Sequence, residues 1–104
     1  MDFYRLVFYV PATHLEATKR AVFAAGGGRI GNYDCCAWET AGTGQFRPLD
    51  GSKPFLGCRG KVEVVPEVKV EMVCGPEVLA AVIAALKAAH PYETPAYQYW
   101  PVQG

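Results

Sequence analysis

"EVKVEMVC" (67–74) alternates without a break: Val68, Val70, Met72 and Cys74 fall on one side, and Glu67, Lys69, Glu71 and Val73 on the other. A period of two over eight residues predicts a β-strand with one face in a core and a largely charged second face. Such half-buried strands are typical of antiparallel sheets. Downstream, Gly75-Pro76 predicts a helix start, with proline in the first turn, where its missing N–H costs nothing. Val78, Leu79, Val82, Ile83 and Leu86 would form the buried face of that helix. It must end by Ala89, because Pro91 disfavours helical geometry at His90. "ETPAYQYW" (93–100) then reads as a last strand, and Pro95 places it at a sheet edge.

Upstream lies "AGTGQFRPLDGSKPFLGCRGKVEVVP" (41–66), rich in glycine and proline and long for a connection in a small domain. Loops of this length are usually functional or mobile, and Phe46, Leu49, Phe55 and Leu56 predict that this one packs on something. Before it, "YDCCAWET" (33–40) is the expected second strand. "FYRLVFYV" (3–10), closed by Pro11, is the first. Between them, "THLE" (13–16) reads as a capping box with Thr13 as N-cap and Glu16 three residues on. Leu15, Val22 and Phe23 supply a helical stripe, and the glycines at 26–28 end it.

The order is therefore β-α-β-β-α-β in one domain spanning 1–104. Two right-handed crossovers give an α+β, ferredoxin-like sandwich: a four-stranded antiparallel sheet with both helices on one face. The other face has nothing in this chain to cover it. Phe3, Tyr4, Val7, Phe8, Tyr97, Tyr99 and Trp100 place large apolar groups on both sides of the first and last strands. An exposed aromatic face of that size implies a homo-oligomer, with Tyr97, Tyr99 and Trp100 feeding the contact.

Ten basic residues balance ten acidic ones, which argues against an electrostatic grip on nucleic acid or membrane. No apolar run approaches the roughly 20 residues needed to span a bilayer. The first residues read as a strand rather than a signal peptide, so a cytoplasmic setting and reduced thiols are expected. Cys35 and Cys36 would point to opposite faces of a strand. With Cys58 and Cys74 they read better as small buried hydrophobes than as soft-metal ligands. His14, after the N-cap, is expected at the surface.

Chemistry concentrates in "AHPYETPAYQYW" (89–100). His90 nitrogen and Glu93 oxygen suit a divalent metal, with Tyr92 between them. The alternative is architectural: His90 capping a helix C-terminus, Pro91 stopping it and Tyr92 packing. "GGGRIGN" (26–32) could cradle an anion near Arg29, but it follows a helix, so helix termination is the better reading.

Three stretches bring a family into view: "GRIGNYDCC" (28–36), "GTGQFRP" (42–48) and "AHPYETPAY" (89–97). They closely resemble the inserted domain of the NIF-three-like proteins, sometimes labelled GTP cyclohydrolase I type 2, and the resemblance covers nearly the whole chain. It implies a stand-alone version of that domain, with a fold like that of the trimeric CutA and PII proteins. That family's two-metal site comes from flanking domains and includes an H-x-x-H pair. Here His14 and His90 are the only histidines, so neither the metal site nor its hydrolase chemistry carries over. The family pattern Pro-Tyr-Glu-Glu-Pro-Ala-Tyr-Asp is also altered, with Thr94 and Gln98 replacing two acids. By resemblance to PII-like proteins, which place a regulatory loop at the same connection, Arg47, Lys53 and Arg59 would contact a partner or small ligand. A loop packed on a neighbouring subunit is the equal alternative.

The leading expectation is a non-enzymatic, oligomeric binding or regulatory module, a trimer ahead of a dimer. Its ligand residues would be His90, Tyr92, Glu93, Arg29 and Arg47, and its partner a small molecule or protein. A divalent-metal protein using His90 and Glu93 is the alternative. A hydrolase, with His90 and Glu93 as acid–base pair or Cys36 with His90, ranks third.

Overall fold

The computed structural model describes residues 2–104. Strand β1 (Asp2–Pro11) leads through a 3-10 turn (Ala12–His14) into α1 (Leu15–Ala24). Then come β2 (Trp38–Phe46), β3 (Glu63–Cys74), α2 (Leu79–Ala89) and β4 (Tyr97–Gln103). The strands form one sheet in the order β2-β3-β1-β4, and every neighbouring pair is antiparallel. This is the ferredoxin-like arrangement expected from the element order.

Register explains where the core sits. Leu6, Phe8 and Val10 stand opposite Met72, Val70 and Val68. Directly paired residues project to the same face, so one side of the central strands is continuously apolar. Val22 of α1 and Val82 and Leu86 of α2 close over it, and all three are fully buried. Each such side chain contributes about 1.5–3 kcal/mol of transfer free energy. Sequence dictates the helix ends as well. Gly26 takes φ +110°, and the N–H groups of Gly26 and Gly27 bond the carbonyls of Phe23 and Val22. That pair of bonds is a Schellman motif, which needs a left-handed residue after the helix. At α2 the chain turns extended at His90 (φ −71°, ψ 134°), as the following proline requires.

Four expectations shift. First, the capping box is absent: neither helical segment at this junction has a side-chain cap, and α1 starts at Leu15. Thr13 Oγ1 instead lies 2.8 Å from His14 Nδ1, because the 3-10 turn absorbs the residues meant to cap. Second, β2 runs over 38–46 rather than 33–40. Gly28 binds the Val73 carbonyl and is in turn bound by the Cys36 N–H. Cys35, at φ +55°, bends the chain out of strand geometry. Cys35 and Cys58 are exposed and only Cys74 is buried, so the reading of all four as buried hydrophobes holds for one. Third, α2 begins at Leu79, leaving Pro76 in the turn before it. Fourth, β4 carries Pro101 within it while Pro95 lies outside. Pro101 is tolerated because β4 is an edge.

The expected 41–66 connection is largely strand. β2 and β3 continue pairing through Thr43↔Pro66, Gly44↔Val65, Gln45↔Val64 and Phe46↔Glu63, past the last β1 partner, Pro11↔Glu67. The result is a two-stranded arm beyond the sheet body, with a loop over 47–62.

Within α1, Thr18 is fully buried and its hydroxyl has no partner among the described residues. A buried hydroxyl without a hydrogen bond costs roughly 1–3 kcal/mol. Thr18→Val, which keeps the shape, is expected to raise stability by about 1 kcal/mol in urea denaturation. A loss of stability would mean that the hydroxyl is satisfied in solution.

Candidate functional site

The His-Pro-Tyr-Glu segment is a junction in which successive residues grip different elements. His90 is 5% exposed. Its Nε2 donates to the Tyr9 carbonyl of β1 at 2.6 Å, and its Nδ1 accepts the Tyr92 N–H at 3.1 Å. One donor and one acceptor define the neutral ring protonated on Nε2. Burial pushes its pKa below the usual histidine value, against the opposing pull of the Tyr9 bond and the nearby Glu67 charge. His90 therefore caps a strand carbonyl instead of the helix end expected for it. A metal ion on this ring would have to displace one of the two bonds.

Tyr92 packs edge-on against Phe46 of the arm at 5.5 Å between ring centres and tilts against the His90 ring at 5.0 Å. Its hydroxyl donates to Glu67 Oε2 at 2.9 Å. Burial first, then that carboxylate and the charge of Glu63, push the phenol well above its ordinary value. It stays a neutral donor throughout the physiological range. Glu93 Oε1 accepts the backbone N–H of Lys53 at 3.0 Å, fastening the 47–62 loop to the segment after α2. The loop is further held by Arg59 donating to the Ser52 carbonyl, by the Gly60 N–H on the Pro48 carbonyl, and by Phe55 against His14. These contacts tie the loop to its own protomer at several points, while most of its residues, Leu49 and Phe55 among them, are exposed.

These contacts enclose a cleft of about 240 Å³ between the root of the arm, the loop and residues 92–96. Tyr9, Phe46, Phe55 and Tyr92 supply aromatic walls, Pro48 and Pro54 an apolar floor, and Glu67 and Glu93 the charge. Gly44 makes room for Glu67: a Cβ there would collide with its carboxylate.

No family model matches the chain. A GTP cyclohydrolase 1 type 2 homolog of Mycobacterium leprae is 50% identical over 91 residues, which is 88% of this chain and 24% of that protein. A solved Bacillus cereus protein related to NIF3 superposes with a TM-score of 0.84 at 37% identity, over 99% of this chain and 26% of that one. The chain is homologous to one quarter of a NIF3-related protein. The divalent cation tolerance protein CutA of Archaeoglobus fulgidus matches 100% of this chain and 86% of its own, with a TM-score of 0.65. At 18% identity that likeness shows the fold alone.

Against this NIF3-related background, the expected site residues divide. Tyr92 and Glu93 line the cleft, and His90 holds the Tyr92 backbone N–H. Arg47 is exposed between two lining residues, Phe46 and Pro48. Arg29 is exposed beside Gly28, which is bonded to Val73 at the other end of β3. Cys36, bonded to Gly28, stands at that same end, so it is not a partner for His90. No group of three or more His, Cys, Asp or Glu suited to a metal occurs among the described residues. Sequence reasoning missed Glu67 and Tyr9. Both look like ordinary strand residues, and only the register of three strands brings them to the cleft.

Proposed function

We propose that this chain is a non-enzymatic, self-associating binding module with its ligand seated in the cleft at the root of the arm. The observation that carries the self-association is the uncovered sheet. Both helices pack on one face. On the other, register places Trp38 of β2 and Trp100 of β4, 68% and 45% exposed, at opposite edges. Between them Arg5 pairs with Glu71 at 3.3 Å. Tyr97 and Tyr99 do not belong to this surface. Their partners Phe8 and Leu6 put them on the helix side, where Lys87 lies over Tyr97. Exposed edge strands carrying tryptophan are templates for association unless something covers them. Further copies of this chain fit that need, because the same two edges recur on each.

The GTP cyclohydrolase label of the relatives belongs to proteins of which this chain spans about a quarter. A hydrolase reading here would need a free acid–base pair, and both nitrogens of His90 are occupied by backbone. No helix among the described residues is long and apolar enough to cross a membrane.

Light scattering of the purified chain tests the assembly. A trimer, three times the 11.3 kDa protomer mass, is the expected result, and Trp38→Lys with Trp100→Lys is expected to release protomers. A wild-type monomer at micromolar concentration would overturn self-association, while a dimer would keep it and change the symmetry.

A further inference from the structure

The cleft has a definite charge. Glu67 and Glu93 line it, and no lysine, arginine or histidine among the described residues does so. Each carboxylate spends one oxygen on a protein donor, Glu67 Oε2 on the Tyr92 hydroxyl and Glu93 Oε1 on the Lys53 N–H. Each keeps its second oxygen for something else. Four aromatic residues line the same cleft, and the faces of aromatic rings attract cations.

We infer that the cleft is a site for a small organic cation, an ammonium or amidinium/guanidinium group on a short apolar body. This rests on the reading of the cleft as a ligand site and adds the class of ligand. The charged head would sit between Glu67 and Glu93, where planar nitrogen donors meet carboxylate oxygens in charge-assisted bonds. The apolar body would lie along Phe46, Pro48, Pro54 and Phe55. The volume, about 240 Å³, is below the roughly 300–1,000 Å³ of sites for drug-sized molecules, which points to a small ligand. An inorganic anion is disfavoured by the carboxylates and a bare hard cation by the aromatic walls. Gly44 contributes to selectivity, because any side chain there would move Glu67 out of position.

Three near-isosteric probes separate charge from shape: benzamidinium, benzamide and benzoate, each titrated by NMR on the whole chain with light scattering of the same samples. Benzamidinium is expected to bind saturably and shift the amides around Phe46, Lys53 and Tyr92. Benzamide is expected about tenfold weaker and benzoate weaker again. Glu67→Gln and Glu93→Gln should each lower benzamidinium affinity several-fold and benzamide affinity by clearly less, narrowing the gap between the two probes. Equal binding of all three would overturn the cation assignment and leave the cleft as a ligand site. Binding indifferent to both glutamine variants would place the cation elsewhere and also overturn it. Failure of every probe to shift cleft amides would remove the ligand-site reading itself. The oligomer mass from the same samples reports on self-association independently.

Discussion

Phe8→Ala will lower the unfolding free energy by about 3–5 kcal/mol. Phe8 is fully buried at the middle of β1, a central strand, between Val70 of β3 and Tyr97 of β4. Removing the ring forfeits its transfer free energy. It also leaves a void that the surroundings cannot close, because partners on both sides are fixed by ladder hydrogen bonds. Domains of this size are typically stable by only about 5–15 kcal/mol, so the variant should lose roughly a fifth of its stability or more. Urea denaturation with an unchanged m-value is the measurement. Leu49→Ala, at a position 62% exposed, should change stability by less than about 0.5 kcal/mol. Similar losses for the two would mean that the core is not where the register puts it.

His90→Ala is expected to cost about 2–4 kcal/mol, although histidine is polar and lies at a helix end. The substitution strips the Tyr9 carbonyl of its donor and the Tyr92 N–H of its acceptor, and buried groups left unpaired cost roughly 1–3 kcal/mol each. His90→Gln, which keeps an N–H at a similar reach, should recover part of the loss. The two proteins will also differ in pH dependence. In the folded chain His90 takes its proton at lower pH than in the unfolded chain, where its value is 6.5. Between the two values the unfolded state therefore holds more protons, so stability rises with pH across that window and is lost as pH falls below about 6.5. One such group contributes a slope of at most about 1.4 kcal/mol per pH unit. Subtracting the His90→Gln profile from wild type isolates it. A difference profile that is flat from pH 7 to 5 would show that the ring is not held neutral by burial.

Much of the fold is legible because local and global signals agree. The alternation at 67–74, the glycines after α1 and Pro91 after α2 each mark a boundary that packing then respects. The second strand misleads for a physical reason. "YDCCAWET" has strand-like side chains, but Gly28 draws Cys36 to itself and Cys35 goes left-handed. The true strand contains Gly42 and Gly44, residues with low strand preference. Gly44 is there for the carboxylate that lies across it, a reason invisible until β2 and β3 are in register. The candidate site was half legible on the same grounds. Tyr92 and Glu93 stand in a motif, whereas Tyr9 and Glu67 reach the cleft from strands 58 positions apart in number. As for "AHPYETPAYQYW", its histidine, tyrosine and glutamate turn out to tie α2 to β1, β3 and the loop.

Asp2 pairs with Gln103. A chain that enters this sheet at one of these residues and leaves at the other does so through a single spot, about one strand spacing wide, roughly 5 Å. A unit built this way can be spliced into a surface turn of a host polypeptide without prising the host's two halves apart. The neighbouring ends of β1 and β4 thus make the fold portable between chains of very different length.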